Sequence, residues 1–235
     1  ARGLFPENTI QGIKSTIELP VNGIEIDIVV SKDHELLVSH NPFAHDELCL
    51  NSGQRIIKNS NFYQLDYKEI LTYDVGSKPH SGFPNQKKHI AHIPLLKDVI
   101  NLLNKETTED FTVFLEIKSE NTDFFPSLPV YTKLLYDFLK DFPFKGNLII
   151  KSFDTSFLNE FQLLSNNQYQ LGLLVDNKLP ISKNLRKLIF KPKYYNLEFQ
   201  LITKEIVNEL HQQHIKIVPW IVNTIEDFQK SNDLA

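Results

Sequence analysis

Strand-like and helix-like stretches alternate along most of this 235-residue chain. Short apolar, β-branched or aromatic runs predict strands over residues 24–30, 111–117, 147–152, 170–174, 194–197 and 216–222. Apolar residues recur at helical spacing in four other segments: Ile10, Ile13 and Ile17; Leu96, Val99, Ile100 and Leu103; Leu134, Leu135, Phe138 and Leu139; and Phe157, Leu158, Phe161 and Leu164. This alternation predicts parallel strands joined by crossovers, in an open doubly wound sheet or a closed barrel.

The glycine content and the placement of polar residues favour the barrel. Only 8 glycines occur in the chain, and no glycine-rich phosphate loop follows a predicted strand, as a nucleotide-binding open sheet requires. Polar candidate residues fall in or just after the C-terminal halves of different strands, where (β/α)8 barrels build their active sites. With 41% hydrophobic residues, the chain suffices for one domain, which we expect to span residues 1–235.

Charge and cysteine content limit the partners of the chain. The formal charge of −4 and the lack of long basic runs argue against nucleic acid as the main partner. The single cysteine, Cys49, excludes an internal disulfide, and no apolar run is long enough to span a bilayer. We expect a soluble protein without a transmembrane segment. The sequence leaves its compartment open (cytoplasmic, or periplasmic or secreted), and also its oligomeric state.

Two carboxylates and an imidazole come close together early in the chain. The run from Gly23 to Val30 alternates acidic and apolar residues, so Glu25 and Asp27 leave the same face of a strand. Residues 31–35 are typical of a turn, and residues 36–40 of a short strand that returns His40 towards the carboxylates. That face can hold Ca²⁺ or Mg²⁺, beside an imidazole that moves protons near neutral pH. For Glu25 and Asp27 alone, the alternative is an exposed charged hairpin.

A second charged pair lies on a later strand. Glu116 and Lys118 are two residues apart and share a face, so Glu116 can complete a three-carboxylate metal site while Lys118 reaches a phosphate oxygen. A cross-strand salt bridge is the alternative. A zinc site of His80, His89 and His92 is disfavoured against solvated loop histidines, since no helical histidine pair or nearby cysteine accompanies them.

Several motifs resemble, in order and spacing, those of the glycerophosphodiester phosphodiesterase family. They are Pro6-Glu7-Asn8-Thr9, Glu25-x-Asp27, the stretch from Asp33 to His40, Phe114 to Lys118, Lys151 to Asp154, and Val218 to Asn223. The resemblance covers nearly the whole chain. It implies a TIM-type (β/α)8 barrel with an insertion at residues 41–92, between strand 2 and helix 2. It also implies metal-dependent hydrolysis of a small glycerophosphodiester to glycerol 3-phosphate and an alcohol.

The chain departs from the family pattern at both ends and at one internal position. By the usual spacing, the family's His-Arg-Gly signature would lie just upstream of Ala1, and its final strand would follow Ala235. We therefore expect that both ends are clipped and that the barrel here lacks its first and last strands. Asn41 stands where the family commonly has Asp after the histidine.

The resemblance also implies roles for individual residues. His40 and the histidine expected upstream would divide the general acid and general base roles, with water or the glycerol 2-hydroxyl as nucleophile. The carboxylates of Glu25, Asp27 and Glu116 would bind the metal. Lys118 and Trp220 would contact substrate, although core packing is the alternative for Trp220. Glu7, at a helix start, would be a supporting residue that acts on the helix dipole and the cap.

Two other functions fit the same residues. Phospholipase D-like toxins and phosphatidylinositol-specific phospholipases C have a related barrel and also use two histidines in catalysis. An intact lipid is therefore an alternative substrate. Exposed aromatic or basic residues within 41–92 would favour it. The second alternative is a non-catalytic phosphodiester-binding module, which would apply if the upstream histidine were truly absent.

Overall fold

The structure is a computed structural model that describes residues 2–45, 47–51, 60–120 and 122–234. The chain divides into two compact units, Ala1–Leu148 and Ile149–Ala235. A single domain over residues 1–235 stays a prediction. Within the predicted insertion at 41–92, residue 46 and residues 52–59 lie outside the described residues.

The first unit combines a small sheet with helices and a long irregular segment. Its helices are α1 (Ile10–Ile17), α2 (Tyr67–Ile70), α3 (Leu96–Glu106) and α4 (Leu128–Asp141), and a 3₁₀ turn spans Phe62–Gln64. Its strands are β1 (Gly23–Val30), β2 (Leu36–Val38), β3 (Phe43–Ala44), β4 (Ser60–Asn61) and β5 (Thr112–Ile117).

Strand β1 carries the sheet of the first unit. It pairs in parallel with β5, with Asp27 opposite Glu116, and antiparallel with β2, with Ile28 opposite Val38. Side chains alternate along a strand, so the isoleucines and the carboxylates of β1 lie on opposite faces. Ile26 and Ile28 are only 1% and 0% exposed. Burial of the isoleucine face therefore fixes which way the carboxylates point, because a slip of one residue would exchange the two faces.

Helix α4 contacts the isoleucine-rich strand β1, and helix α3 lies against β2. The predicted apolar stripe of α3 is buried throughout, and its members are Leu96, Val99, Ile100 and Leu103. In α4, Tyr131 is completely buried, and its hydroxyl donates a 2.8 Å hydrogen bond to the backbone carbonyl of Ile28. Full burial of such side chains contributes about 1.5–3 kcal/mol each. Helix α4 thus holds β1 directly, and α3 packs on β2, the antiparallel partner of β1.

The described part of segment 41–92 is organised by short antiparallel pairings and by Asp74. Strands β3 and β4 pair with each other, and Leu50 forms a bridge with Asp74. Asp74 Oδ1 accepts hydrogen bonds from the backbone N–H groups of Gly76, Ser77 and Ala91. Burial opposes ionisation of this carboxyl, but the hydrogen bonds outweigh it and lower its pKa.

The second unit consists of alternating strands and helices. Its strands are β6 (Asn147–Ser152, whose first two residues precede the unit boundary), β7 (Gln170–Val175), β8 (Tyr194–Glu198) and β9 (Lys216–Trp220), which pair in that order and in parallel. Its helices are α5 (Thr155–Ser165), α6 (Ile181–Leu185), α7 (Lys204–Gln212) and α8 (Ile225–Leu234), with a 3₁₀ turn at Phe199–Leu201. Phe157 and Phe161 of α5 are fully buried, and their rings stack with centroids 5.9 Å apart.

The predicted elements agree with the observed ones to within two residues at strand ends. Strand 147–152 is observed as predicted, whereas the last strand was expected to reach Val222 and ends at Trp220. Each of the four predicted helical stripes lies in a helix, α1, α3, α4 or α5. Among the described residues, no helix has the length and apolar character needed to cross a membrane.

Candidate active site

Three carboxylates converge on one face of the sheet in the first unit. Glu25 and Asp27 come from β1 and Glu116 from β5, and one oxygen of each lies within 4.8 Å of the others. Asp27 and Glu116 are each 6% exposed, whereas Glu25 is exposed. Two oxygens bound to one Ca²⁺ lie at most about 4.8 Å apart, twice a bond of about 2.4 Å. The three residues therefore fit a hard divalent cation.

Lys118 lies against the carboxylates. Its Nζ is 3.0 Å from Asp27 Oδ1 and also contacts Glu116 Oε1, so the predicted same-face pair with Glu116 and a cross-strand ion pair are both present. Burial alone would lower the pKa of the Lys118 ammonium, but Asp27 and Glu116 outweigh it and raise that pKa above its usual value. The site therefore carries a permanent positive charge at neutral pH beside its acidic residues.

His40 lies just beyond β2, which ends at Val38 rather than at His40 as expected. The imidazole is exposed, and its Nδ1 lies 3.2 Å from Asn41 Oδ1. The neighbouring Ser39 donates its backbone N–H to the carbonyl of Asp27 at 2.9 Å. The chain that carries His40 is thus tied to the strand that carries two of the carboxylates.

A cleft in the first unit contains His40. Glu7, Asn8, His45 and Cys49 also line it. Burial raises the pKa of the Cys49 thiol to about 11, which keeps this side chain neutral and weakly nucleophilic at physiological pH. Cys49 is therefore a poor nucleophile in this cleft, and the proton-transfer role predicted for His40 does not compete with it.

Glu7 does not have the capping role expected for it. The side chain that caps α1 is Thr9, whose Oγ1 accepts a 3.0 Å hydrogen bond from the N–H of Gly12. Glu7 lies two residues earlier, outside the range of the first free N–H groups, and its Oε2 accepts a 3.2 Å hydrogen bond from Arg2. The capping prediction is wrong for this reason, whereas a supporting role for Glu7, which lines the cleft, stays a prediction.

Asn8 is a site residue that the sequence reasoning missed. Its Nδ2 donates a 3.0 Å hydrogen bond to Asp27 Oδ2, across 19 positions of the sequence. Asn8 has a φ of 52°, in the left-handed region that asparagine tolerates better than most residues. The sequence signal for this contact was an asparagine, which tolerates the left-handed region, immediately before the N-cap Thr9.

Trp220 lies in the second unit, at the last residue of β9. It is partly buried, and its Nε1 donates a 3.0 Å hydrogen bond to the carbonyl of Asn196. The ring meets Phe153 edge to face, with centroids 5.6 Å apart, and Phe153 is 43% exposed. Trp220 thus makes the packing contact expected of an aromatic residue, and the Phe153 side chain beside it is open to solvent.

The three histidines of segment 41–92 have separate surroundings. His80 Nδ1 accepts from the N–H of Gly82, and His92 Nδ1 donates to the carbonyl of Tyr73. Nε2 of His89 is buried and has no hydrogen-bond partner among the residues described. Among the described residues, Glu25, Asp27 and Glu116, here called the acidic trio, are the candidate group of three metal ligands. The three histidines form no such group.

Comparison with known proteins agrees with the family expected from the motifs. The model of the glycerophosphoryl diester phosphodiesterase family matches residues 1–235. A glycerophosphodiester phosphodiesterase of Caldanaerobacter subterraneus is 28% identical over 96% of this chain and 84% of its own length. One of Bacillus altitudinis is 23% identical, with 95% and 83% covered.

Solved structures show the same fold. A crystal structure of a Silicibacter pomeroyi protein has a TM-score of 0.87 at 21% identity, covering 100% of this chain and 84% of that one. A phosphodiesterase of Oleispira antarctica, in complex with its product sn-glycerol-3-phosphate, has a TM-score of 0.80 at 16% identity, with 99% and 86% covered. The expected α/β fold of the TIM-barrel type is confirmed.

Proposed function

Because the chain belongs to the glycerophosphoryl diester phosphodiesterase family, we propose that it hydrolyses glycerophosphodiesters to sn-glycerol 3-phosphate and an alcohol with the help of Ca²⁺ or Mg²⁺. The observation that carries this proposal is the acidic trio with Lys118 against two of its members. A divalent ion held there, together with Lys118, would place positive charge beside the phosphodiester and the further negative charge that develops during its hydrolysis.

Glu25, Asp27 and Glu116 hold the cation in this proposal. Asp27 and Glu116 are buried and adjacent across paired strands, so little rearrangement is needed to bring their oxygens together. When bound, the cation polarises a phosphoryl oxygen and offsets negative charge in the transition state. The exposed Glu25 completes the trio from the solvent side.

Lys118 binds a phosphate oxygen of the substrate. Its raised pKa keeps it protonated at neutral pH, and 20% of its side chain is exposed. A bound phosphodiester would give the ammonium a further anionic partner besides Asp27 and Glu116. This second positive charge is worth most in a site from which water is excluded.

His40 transfers protons in the reaction. It is exposed to solvent in the cleft that it shares with Glu7 and Asn8, so a substrate can reach it. As general base it would take a proton from the attacking water or glycerol 2-hydroxyl, and as general acid it would give one to the departing alcohol. Each such step contributes about 100-fold or more to the rate.

Two further residues have supporting roles in the proposal. Trp220 contacts the alcohol part of the substrate, supported by the exposed Phe153 ring that packs against it. Glu7 orients the guanidinium of Arg2 through their 3.2 Å ion pair. Neither residue is required for the charge balance of the reaction.

The test is release of sn-glycerol 3-phosphate from glycerophosphocholine and glycerophosphoethanolamine by the full-length protein. We expect release that a chelator abolishes and that Ca²⁺ or Mg²⁺ restores. Glu116→Gln should lose most of this release, whereas the matched Glu106→Gln change on the outside of α3 should not. A folded protein without release under any of these conditions would contradict the proposal and favour a binding module.

Intact lipid is a second candidate substrate because of the surface of segment 41–92. Lys87 and Lys88 are exposed there, and Ile90 is 70% exposed. Basic and apolar residues together suit an anionic lipid surface. Release of headgroup from phospholipid vesicles, with none from glycerophosphocholine, would favour this candidate over the first.

A further inference from the structure

The two oxygens of the Asp27 carboxylate have different neighbours. Oδ1 lies 3.0 Å from the Lys118 ammonium, and Oδ2 accepts a 3.0 Å hydrogen bond from the side-chain amide of Asn8. The carboxylate is buried, with 8% of its side chain exposed. Contacts on both oxygens fix the rotation of the carboxylate plane, which a contact on one oxygen alone would leave free.

The turn that carries Asn8 is itself held firmly. Thr9 is fully buried, and its Oγ1 donates a 2.9 Å hydrogen bond to the carbonyl of Pro6 and accepts one from the N–H of Gly12. A Cβ atom on Gly12 would lie 2.4 Å from the Pro6 carbonyl oxygen, so only glycine allows this close approach. Asn8 therefore projects from a short, internally bonded turn and not from a loose loop.

We propose that Asn8 is a positioning residue that holds the Asp27 carboxylate in the orientation needed for divalent-metal binding. This inference rests on the metal site of the proposed function. The amide suits the task because it donates a hydrogen bond without carrying a charge. A lysine or arginine in its place would compete with the metal for Asp27, and an aspartate would repel it.

The loss of a hydrogen-bond partner behind a metal ligand commonly weakens metal binding about 10–100-fold. Asn8→Gly removes the amide and keeps the left-handed backbone, since glycine adopts a φ of 52° without strain. Asn166→Gly is a matched control. Asn166 is an exposed asparagine with a φ of 48° that ends α5 in the second unit.

The experiment is a calorimetric titration of metal-free protein with Ca²⁺, and separately with Mg²⁺, without substrate. We expect Asn8→Gly to raise the Kd of the ion that the unmodified chain binds by about tenfold or more, and Asn166→Gly to leave it unchanged. A second measurement is the rise in unfolding free energy with and without the ion. A tenfold weaker Kd reduces that rise by about 1.4 kcal/mol at saturating ion.

The second measurement compares each variant with itself, so a general loss of stability in Asn8→Gly does not affect it. A purely structural role for Asn8 would lower stability equally with and without the ion. Equal ion affinity of Asn8→Gly and the unmodified chain would overturn the inference and leave the proposed function intact. Absence of Ca²⁺ and Mg²⁺ binding by the unmodified chain would overturn both.

Discussion

Replacement of Lys118 by methionine should destabilise the metal-free protein far more than the metal-bound one. The change keeps an extended apolar side chain but removes the ammonium that contacts Asp27 and Glu116. Three carboxylates then stay within 4.8 Å of one another without that compensation. Two unit charges at this distance repel by about 3.5 kcal/mol at an effective dielectric constant of about 20. Loss of one partner from a buried ion pair costs about 3–5 kcal/mol.

We therefore expect Lys118→Met to lose about 3 kcal/mol of unfolding free energy in chelator, or about 6–12 °C in Tm. Saturating Ca²⁺ should recover most of this loss, because the cation replaces the missing positive charge among the carboxylates. The assay is urea and thermal unfolding of both proteins, each in chelator and in Ca²⁺.

Lys133→Met is the matched control. Lys133 forms an ion pair with Asp137 at 2.6 Å, but their side chains are 70% and 47% exposed on α4. An exposed helical pair contributes only about 0.3–0.5 kcal/mol, and Ca²⁺ should not alter its loss. The reasoning is refuted if Lys118→Met is no less stable than Lys133→Met in chelator, or if Ca²⁺ stabilises both variants equally.

Three more changes test separate parts of the structure. His40→Ala should lower turnover about 100-fold or more with little change in stability, since the side chain is exposed. The control is His211→Ala at an exposed position of α7, and near-normal turnover of His40→Ala would contradict the role of His40. Cys49 is 5% exposed with a pKa of about 11, so iodoacetamide at pH 8 should modify it only as fast as the fold opens. Because burial raises that pKa from 9.0, the neutral thiol contributes its full share of the unfolding free energy below about pH 9. This contribution is lost as the pH rises towards 11, and Cys49→Ala should not show that loss. Thr9→Ala should cost about 1–2 kcal/mol in urea unfolding, because it removes the cap of α1 and the bond to Pro6.

The regular elements were predictable because their patterns are local. In β1, acidic and apolar residues alternate at the period of a strand, and the pairing with β5 confirms the shared face of Glu25 and Asp27. The stripe of α3 repeats at helical spacing and is fully buried. The parallel pairing of β1 with β5 brings Glu116 beside the other two carboxylates, an arrangement that the sequence allowed and the family resemblance favoured.

The contacts that were missed or misassigned depend on turns and on distant pairings. Asn8 meets Asp27 only because a left-handed residue turns its amide towards β1, and no period in the sequence marks such a contact. The capping role went to Thr9 and not to Glu7, a difference of two residues at a helix start. Strands β3 and β4 pair over only two residues each, which is too short for any alternation to be detected.

Asp27 and Glu116, which are paired across β1 and β5, lie 89 residues apart in the sequence (116 minus 27). Neither strand alone supplies the full set of carboxylates, so a divalent ion would bind with full affinity only after β5 has docked beside β1. The ion would then stabilise this long-range pairing, because its binding free energy would add to the free energy needed to separate the two strands. Loss of the ion would therefore favour local opening of β1 and β5 around the three carboxylates, and hydrogen exchange at the amides of β1 and β5 would slow as the ion concentration rises.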